Sequence, residues 1–221
     1  MALSTVTPMT TDAVLTLTQW MSPGFPVGAF AYSHGLETAI AHGEIDDRDS
    51  LEEWLLDIIA FGSGQADVVI LSAAYHATEN DIGDIDATAR AFSASAGRLM
   101  ETDQQGGAFA RTVDEVWGTG LGALTYPVAV GRAASAKGFA LDLTAHLYLQ
   151  AFTANLISAA VRLIPLGQTE GQSLLASLAP LIRETVEQAA RPPLSRLSAS
   201  CFAADIASMQ HETLYSKVFR T

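Results

Sequence analysis

The chain has 221 residues, of which 49% are hydrophobic and 16% charged, and its formal net charge at pH 7 is −12. It is long enough to bury a substantial core, and its composition excludes a disordered or fibrous protein. Its twelve lysines and arginines form no basic cluster, so a nucleic acid partner is not expected. The acidic balance favours basic proteins or cations as partners, or serves solubility alone.

Cysteine usage and the N-terminus bear on the compartment. The single cysteine, Cys201, excludes an internal disulfide framework. The first residues lack the basic and long apolar regions of a signal peptide, which predicts a cytoplasmic protein. Residues 143–163 are apolar enough to imitate a membrane span, but His146 and Arg162 would be costly in lipid. A buried helix at the centre of a bundle explains this stretch better, and no membrane partner is expected.

An apolar loop follows a short amphipathic segment near the start of the chain. Residues 22–37, here called the 22–37 loop, read Ser-Pro-Gly-Phe-Pro-Val-Gly-Ala-Phe-Ala-Tyr-Ser-His-Gly-Leu-Glu. Its prolines and glycines exclude a regular helix, and yet it is too apolar for a solvated linker. The pattern predicts an ordered loop pinned into a core, followed by a helix that starts near Tyr32 or Ser33. Glu37 is its only charged residue.

Helical patterns dominate the rest of the chain. Ser50-Leu-Glu-Glu53 is typical of a capping box and opens a helix that Gly62 and Gly64 interrupt. Further helices are predicted from Asp84 or Asp86 to about Ala96, from Arg98 to Trp117 with a bend or break at Gly106-Gly107, from Pro127 to about Gly138, from Asp142 to before Pro165, and from Thr169 to Pro192-Pro193. No strand pattern of useful length appears. The prediction is an all-α fold, a single-domain bundle of roughly eight to ten helices over residues 1–221, with 1–10 and 215–221 flexible or ordered by partners.

Each catalytic motif that the sequence partly matches lacks a residue or an element that the chemistry requires. Neither lysine stands in the Gly-Lys-Ser/Thr setting of a phosphate-binding loop. The glycines of 118–122 lack the preceding strand and the spacing of a dinucleotide loop. His211-Glu212 has Tyr215 where a zinc-protease helix needs its second histidine, and Ser33 lacks the glycine and strand of a nucleophile elbow. The sequence therefore predicts a protein that is not an enzyme.

The sequence does not decide whether the chain binds a metal ion. None of the five histidines has another at the spacing of three or four residues that favours a metal site on a helix. A symmetric oligomer would still bring two copies of one histidine, or of Cys201, together on its axis. The chain end, residues 205–220, mixes aromatic and charged residues, which fits either a tail folded onto its own core or a segment ordered by a partner.

Three stretches together resemble the urease accessory protein UreF family. They are the 22–37 loop, Arg162-Leu-Ile-Pro-Leu-Gly-Gln-Thr-Glu-Gly-Gln172, and the chain end with Asp205-Ile-Ala-Ser-Met-Gln-His-Glu212 and Tyr215-Ser-Lys-Val-Phe-Arg220. The resemblance implies an all-helical homodimer that assembles with the accessory protein UreD (or UreH) and the GTPase UreG and delivers nickel to apo-urease. The chain departs from the family at Tyr126, where His often stands, and at Lys217, which cannot copy a bidentate arginine contact.

The resemblance also implies partner-facing roles for particular residues. Glu37 is the first choice for a contact with the GTPase, and Gln168 and Gln172 are polar contacts in the same region. The residues expected to dock the other accessory protein, or to order the dimer, are His211, Glu212, Tyr215 and Arg220. For each of them, helix capping or internal hydrogen bonding is the competing interpretation.

The resulting hypothesis is a non-enzymatic adaptor and chaperone with no cofactor of its own, in which the whole complex handles nickel. One alternative is a metallochaperone that binds nickel directly through His211 or Cys201. Another is a small helical enzyme that uses Glu37 as a general acid or base. The residues do not decide whether the chain activates or restrains GTP hydrolysis.

Overall fold

The computed structural model describes residues 10–190 and 194–221. These residues form ten α-helices and no strand, which confirms the all-α prediction. The helices are α1 (Thr11–Trp20), α2 (Leu36–Ala41), α3 (Arg48–Phe61), α4 (Ser63–His76), α5 (Ile82–Ala91), α6 (Ala96–Trp117), α7 (Tyr126–Ala136), α8 (Leu141–Val161), α9 (Gln168–Ala189) and α10 (Phe202–His211). The predicted stop at Pro192-Pro193 and most of the predicted flexible N-terminus lie outside the described residues.

The core is built around α4, α7 and α8. Helix α4 packs against α3, α7, α8 and α9, while α6 lies along α7 and α9 along α8. The largest fully buried side chain of the core is Trp20 of α1, which meets Phe109 edge to face with ring centroids 5.4 Å apart. The apolar stretch 143–163 falls almost entirely within α8, as the prediction of a central buried helix required.

Helix starts differ from the predictions in ways that local hydrogen bonds explain. Helix α3 begins at Arg48 because Asp47, and not Ser50, is its N-cap. The Asp47 carboxylate accepts from the Ser50 amide at 2.9 Å, and the Ser50 hydroxyl accepts from the Asp47 amide at 3.2 Å. The capping box therefore lies one turn earlier than predicted. Helix α8 begins at Leu141, with Ala140 as its N-cap, one residue before the predicted start at Asp142.

Of the predicted bend or break at Gly106-Gly107, the break is wrong, because α6 runs unbroken from Ala96 to Trp117. Gly106 has a packing role instead. A Cβ at this position would lie 2.1 Å from the carbonyl oxygen of Leu124 and 2.6 Å from the amide nitrogen of Tyr126. The missing side chain lets the segment before α7 cross directly against α6.

One stretch of the described residues, Arg48–His76, is long and apolar enough to pass as a membrane span by composition. It comprises α3 and α4, which Gly62 separates, as the sequence predicted. Most of its apolar window is buried inside the protein. This burial is typical of core helices in a bundle.

Candidate functional site

The 22–37 loop is pinned into the core, as predicted. Phe25, Tyr32 and Leu36 are buried. Phe30 is the exception, with 67% of its surface exposed next to a short 3-10 turn at Ala29–Ala31. The loop therefore fixes its backbone through buried side chains and presents one aromatic ring to solvent.

Helix α2 starts at Leu36, later than predicted, because two left-handed residues precede it. His34 has φ = 56° and Gly35 has φ = 80°. Gly35 is required here for a second reason: a Cβ would lie 2.6 Å from the amide nitrogen of Ser208 in α10. This left-handed turn brings the 22–37 loop close against the backbone of α10.

Glu37 lies on the buried side of α2 and is only 6% exposed. Its carboxylate accepts from His211 Nε2 at 2.9 Å and from the amides of Val218 and Phe219 at 2.6 and 3.0 Å. Burial by itself would raise the pKa of Glu37, but these hydrogen bonds outweigh it and hold the pKa below its ordinary value. The Glu37 carboxylate therefore makes the internal hydrogen bonds that the competing interpretation named, and it is not exposed for a direct contact in a single copy of the chain.

The chain end docks alongside the 22–37 loop. In the tail, defined here as residues 212–221, the amide of Arg220 donates to the Ala31 carbonyl at 2.8 Å, and the Ser33 amide donates to the Thr221 carbonyl at 2.8 Å. Phe219 is buried beneath the Arg162 guanidinium, 4.5 Å from its ring centroid. The last four residues of the tail are thus ordered by the chain itself.

A second buried cluster lies under the tail. Glu101 of α6 pairs with Arg98 and accepts from His34 Nε2 at 2.7 Å, from Gln105 at 2.8 Å and from the Thr221 hydroxyl at 3.2 Å. Burial would raise the pKa of Glu101, but Arg98 and His34 overcome it and lower the pKa to about 2. Burial, and then Arg98, lower the pKa of His34. The cluster is an internal ion pair of Arg98 and Glu101 with the His34 imidazole bonded to its carboxylate.

Asp67 of α4 lies near this cluster and behaves in the opposite way. Burial raises its pKa to about 6, although Arg98 and a 2.7 Å hydrogen bond from the Tyr148 hydroxyl oppose the shift. Few compensating donors reach this carboxylate, so its charged form is costly near neutral pH.

Replacing Asp67 with asparagine is expected to stabilise the protein at pH 8. Between pH 3.8 and 6 the native state holds this proton more tightly than the unfolded state, so stability falls as pH rises through that window. The full cost above pH 6 is about 3 kcal/mol as an upper bound, at 1.36 kcal/mol per pKa unit. Asparagine has no charge to bury and still accepts from Tyr148.

Urea unfolding of both proteins from pH 4 to 8 measures this difference. The free energy of unfolding of the wild type should fall relative to that of Asp67→Asn as pH rises. The control Glu115→Gln, which changes an exposed carboxylate on α6, should show the same pH dependence as the wild type. A variant that is less stable than the wild type at every pH would show that the Tyr148 hydrogen bond outweighs the burial of charge.

The remaining predicted site residues differ in burial and in hydrogen bonding. His211 is buried, whereas Glu212 is exposed and accepts from the Ala96 amide at 3.0 Å, at the start of α6. Tyr215 is fully exposed. Gln168 and Gln172 are exposed at the start of α9, and neither side chain bonds another described residue. The structure therefore joins Glu37 to His211 and the tail but leaves the two glutamines apart from them.

Exposed apolar side chains gather near the tail. Phe202, Ile206 and Met209 of α10 are 70%, 53% and 50% exposed and follow each other at a spacing of four and three residues. This spacing places them on one face of the helix. Tyr215 and Val218 add exposed apolar surface in the tail itself.

The alternative of direct nickel binding named His211 and Cys201 as ligands. His211 Nε2 is engaged by Glu37, and Cys201 is buried, which raises the pKa of its thiol. Within residues 10–190 and 194–221, no three histidine, cysteine, aspartate or glutamate side chains lie in position to share a metal ion. Neither residue is thus presented as a free ligand in a single copy of the chain.

Several residues of the site were missed from the sequence. Arg98 and Glu101 are spaced as a helical ion pair, but this spacing usually marks a solvated surface. Gln104 and Arg162 carried no signal, because their partners, Tyr32 and Phe219, are distant in sequence.

A helical bundle whose buried polar groups hold its own tail, with apolar side chains exposed beside it, has the features of a protein that docks other proteins. The family model for UreF matches residues 45–179. The urease accessory protein UreF of Roseobacter denitrificans is 59% identical over 96% of both chains. That of Ruegeria sp. TM1040 is 51% identical over 96% of this chain and all of its own, and that of Ruegeria pomeroyi is 47% identical over 96% and 98%. The chain belongs to the UreF family of urease accessory proteins.

Proposed function

We propose that this chain is a non-enzymatic, cytoplasmic adaptor that recruits and regulates the GTPase UreG and, with UreD or UreH, supports nickel insertion into apo-urease. Membership of the UreF family supports the place in urease maturation. The observation that carries the adaptor role is the apolar face of α10 beside the tail, which is anchored by Glu37.

The α10 face and the tail form the proposed docking surface for the second accessory protein, UreD or UreH. Phe202, Ile206 and Met209 would otherwise leave large apolar surfaces in water, at a cost of roughly 25 cal/mol per Å² that a partner removes. Glu212, Tyr215 and Arg220 supply polar and aromatic groups around them. Aromatic and arginine side chains are enriched in such interfaces.

Glu37 acts indirectly in this proposal. Because its carboxylate holds His211 and the amides of Val218 and Phe219, it shapes the surface that partners meet. Gln168 and Gln172 remain proposed contacts of the GTPase, since both side chains are exposed and free of bonds to other described residues.

The proposed homodimer uses a different surface. Leu147, Ala151 and Ala154 are only partly buried along one side of α8 and border a groove of about 480 Å³. A helix that is apolar on every side is normally covered on every side. A second copy of the chain would provide that cover symmetrically.

Co-purification tests the adaptor role. The tagged chain is expressed with UreD (or UreH) and UreG, and the complex is expected to survive purification. Ile206→Glu should lower the recovery of UreD or UreH at least tenfold, as loss of a central apolar contact does. Leu15→Glu, on α1 and 63% exposed, is the matched control and should retain both partners.

Two results would contradict the proposal. One is a wild-type chain that stays alone at micromolar concentration with both partners present. The other is an equal loss of partners with Ile206→Glu and Leu15→Glu, which would mean that α10 holds no docking surface.

A further inference from the structure

A groove of about 590 Å³ separates the 22–37 loop from α6 on the outside of the molecule. The side chains of Phe30, Val27 and Pro26 line its loop side. Two cations, Arg111 of α6 and Arg220 of the tail, border it as well. The groove thus combines an exposed aromatic ring with two guanidinium groups.

The groove is locally positive although the chain is acidic. Within the described residues, neither Arg111 nor Arg220 lies within 4 Å of a carboxylate oxygen in an ion pair. The one acid in the lining, Asp103, is paired with Arg90 at 2.5 Å. Distant charges are largely screened beyond about 8 Å at physiological salt, so these nearby groups dominate what an incoming ligand meets.

Arg220 is held in place before any ligand arrives. Gln104 Oε1 accepts from Arg220 Nη1 at 3.0 Å and from the Tyr32 hydroxyl at 2.8 Å. The Arg220 backbone is fixed by its bond to Ala31. Because one guanidinium nitrogen of Arg220 donates to Gln104, the other N–H groups stay available to a planar anion such as a carboxylate. Less side-chain freedom is then lost on binding.

We propose that this groove binds an extended, carboxylate-bearing segment of a partner protein, with acidic side chains on Arg111 and Arg220 and an apolar side chain against Phe30. The proposal rests on the adaptor function and names the chemistry of one of its partners. Charge complementarity selects the occupant: unpaired guanidinium groups attract carboxylates, and the rest of the acidic surface disfavours them.

A peptide-binding experiment tests the groove on the full chain. The probe is fluorescein-labelled acetyl-Glu-Glu-Leu-Glu-Glu-amide, and fluorescence anisotropy at 150 mM NaCl measures its Kd. The matched probe carries glutamine in place of each glutamate. The acidic peptide is expected to bind about tenfold more tightly than the neutral one, as charge-assisted contacts do.

Variants locate the binding. Arg111→Ala should weaken the acidic peptide about five- to tenfold, in line with the loss of one charged contact. Arg183→Ala removes the same charge from the exposed side of α9 and should change the Kd less than twofold. Equal affinities for the two peptides, or an equal loss with both variants, would overturn the proposal.

The result is separable from the adaptor proposal. If UreD or UreH and UreG co-purify with the chain and the acidic peptide does not bind, the groove proposal alone fails. If Arg111→Ala selectively loses the peptide but the wild-type chain recovers neither partner, the adaptor proposal fails and the groove stands as a binding site for acidic segments.

Discussion

Glu101→Gln is expected to destabilise the protein by about 3 to 5 kcal/mol at pH 7, the usual cost of removing one partner of a buried ion pair. The variant removes the carboxylate that pairs directly with the Arg98 guanidinium, whose side chain is only 12% exposed, and leaves Asp67, whose own charge is costly, as the nearby acid that acts on it. It also removes the anionic acceptor for His34 and Thr221. An amide in this place supplies one acceptor and no charge.

The pH dependence gives this expectation a second signature. The pKa of Glu101 is lowered from 4.5 to about 2, so its stabilisation is present above pH 4.5 and is lost as pH falls towards 2. The free energy of unfolding in urea should differ most between wild type and variant above pH 4.5, and the difference should shrink below it. Glu115→Gln, on the exposed side of α6, is the control. A loss below 1 kcal/mol at pH 7 would mean that water reaches this cluster.

Glu37→Ala is expected to release the tail and to weaken partner binding together. The variant leaves His211 and the amides of Val218 and Phe219 without their shared acceptor. Hydrogen bonds to a charged group contribute about 1.5 to 3 kcal/mol each. Because the three bonds share one carboxylate, their contributions do not add fully, and the expected total loss of stability is about 2 to 4 kcal/mol.

Hydrogen exchange of residues 212–221, read with co-purification, measures both effects. The Val218 and Phe219 amides should lose protection, and recovery of UreD or UreH should fall. Because the pKa of Glu37 is lowered, the wild-type protection is present at neutral pH and weakens as the carboxylate protonates below its ordinary range. Glu53→Ala, an exposed acid on α3, should change neither readout. Normal recovery of partners with an unprotected tail would show that the tail contributes nothing to docking.

Long periodic segments were predictable, and ends and bends were less so. The division of α3 from α4 at Gly62 follows from local pattern alone. Gly106 was wrongly taken as a possible break in α6, because a glycine that breaks a helix and one that admits a crossing segment look alike in sequence. The cap of α3 was placed at Ser50 because Asp47 and Ser50 both fit a capping role.

The sequence by itself determined the helical class and the family, since periodicity and matched stretches are local properties of the chain. It also marked Glu37, His211 and Arg220 as unusual. Only the tertiary structure decided what these residues contact. Glu37 meets His211 across 174 positions, and Glu101 meets Thr221 across 120. No local pattern encodes such pairs, because they form only when the chain folds. The left-handed turn at His34 and Gly35 lets the chain end pack against α2 and α6. Glu37, which looks like a surface acid in the sequence, thereby becomes the anchor of the tail.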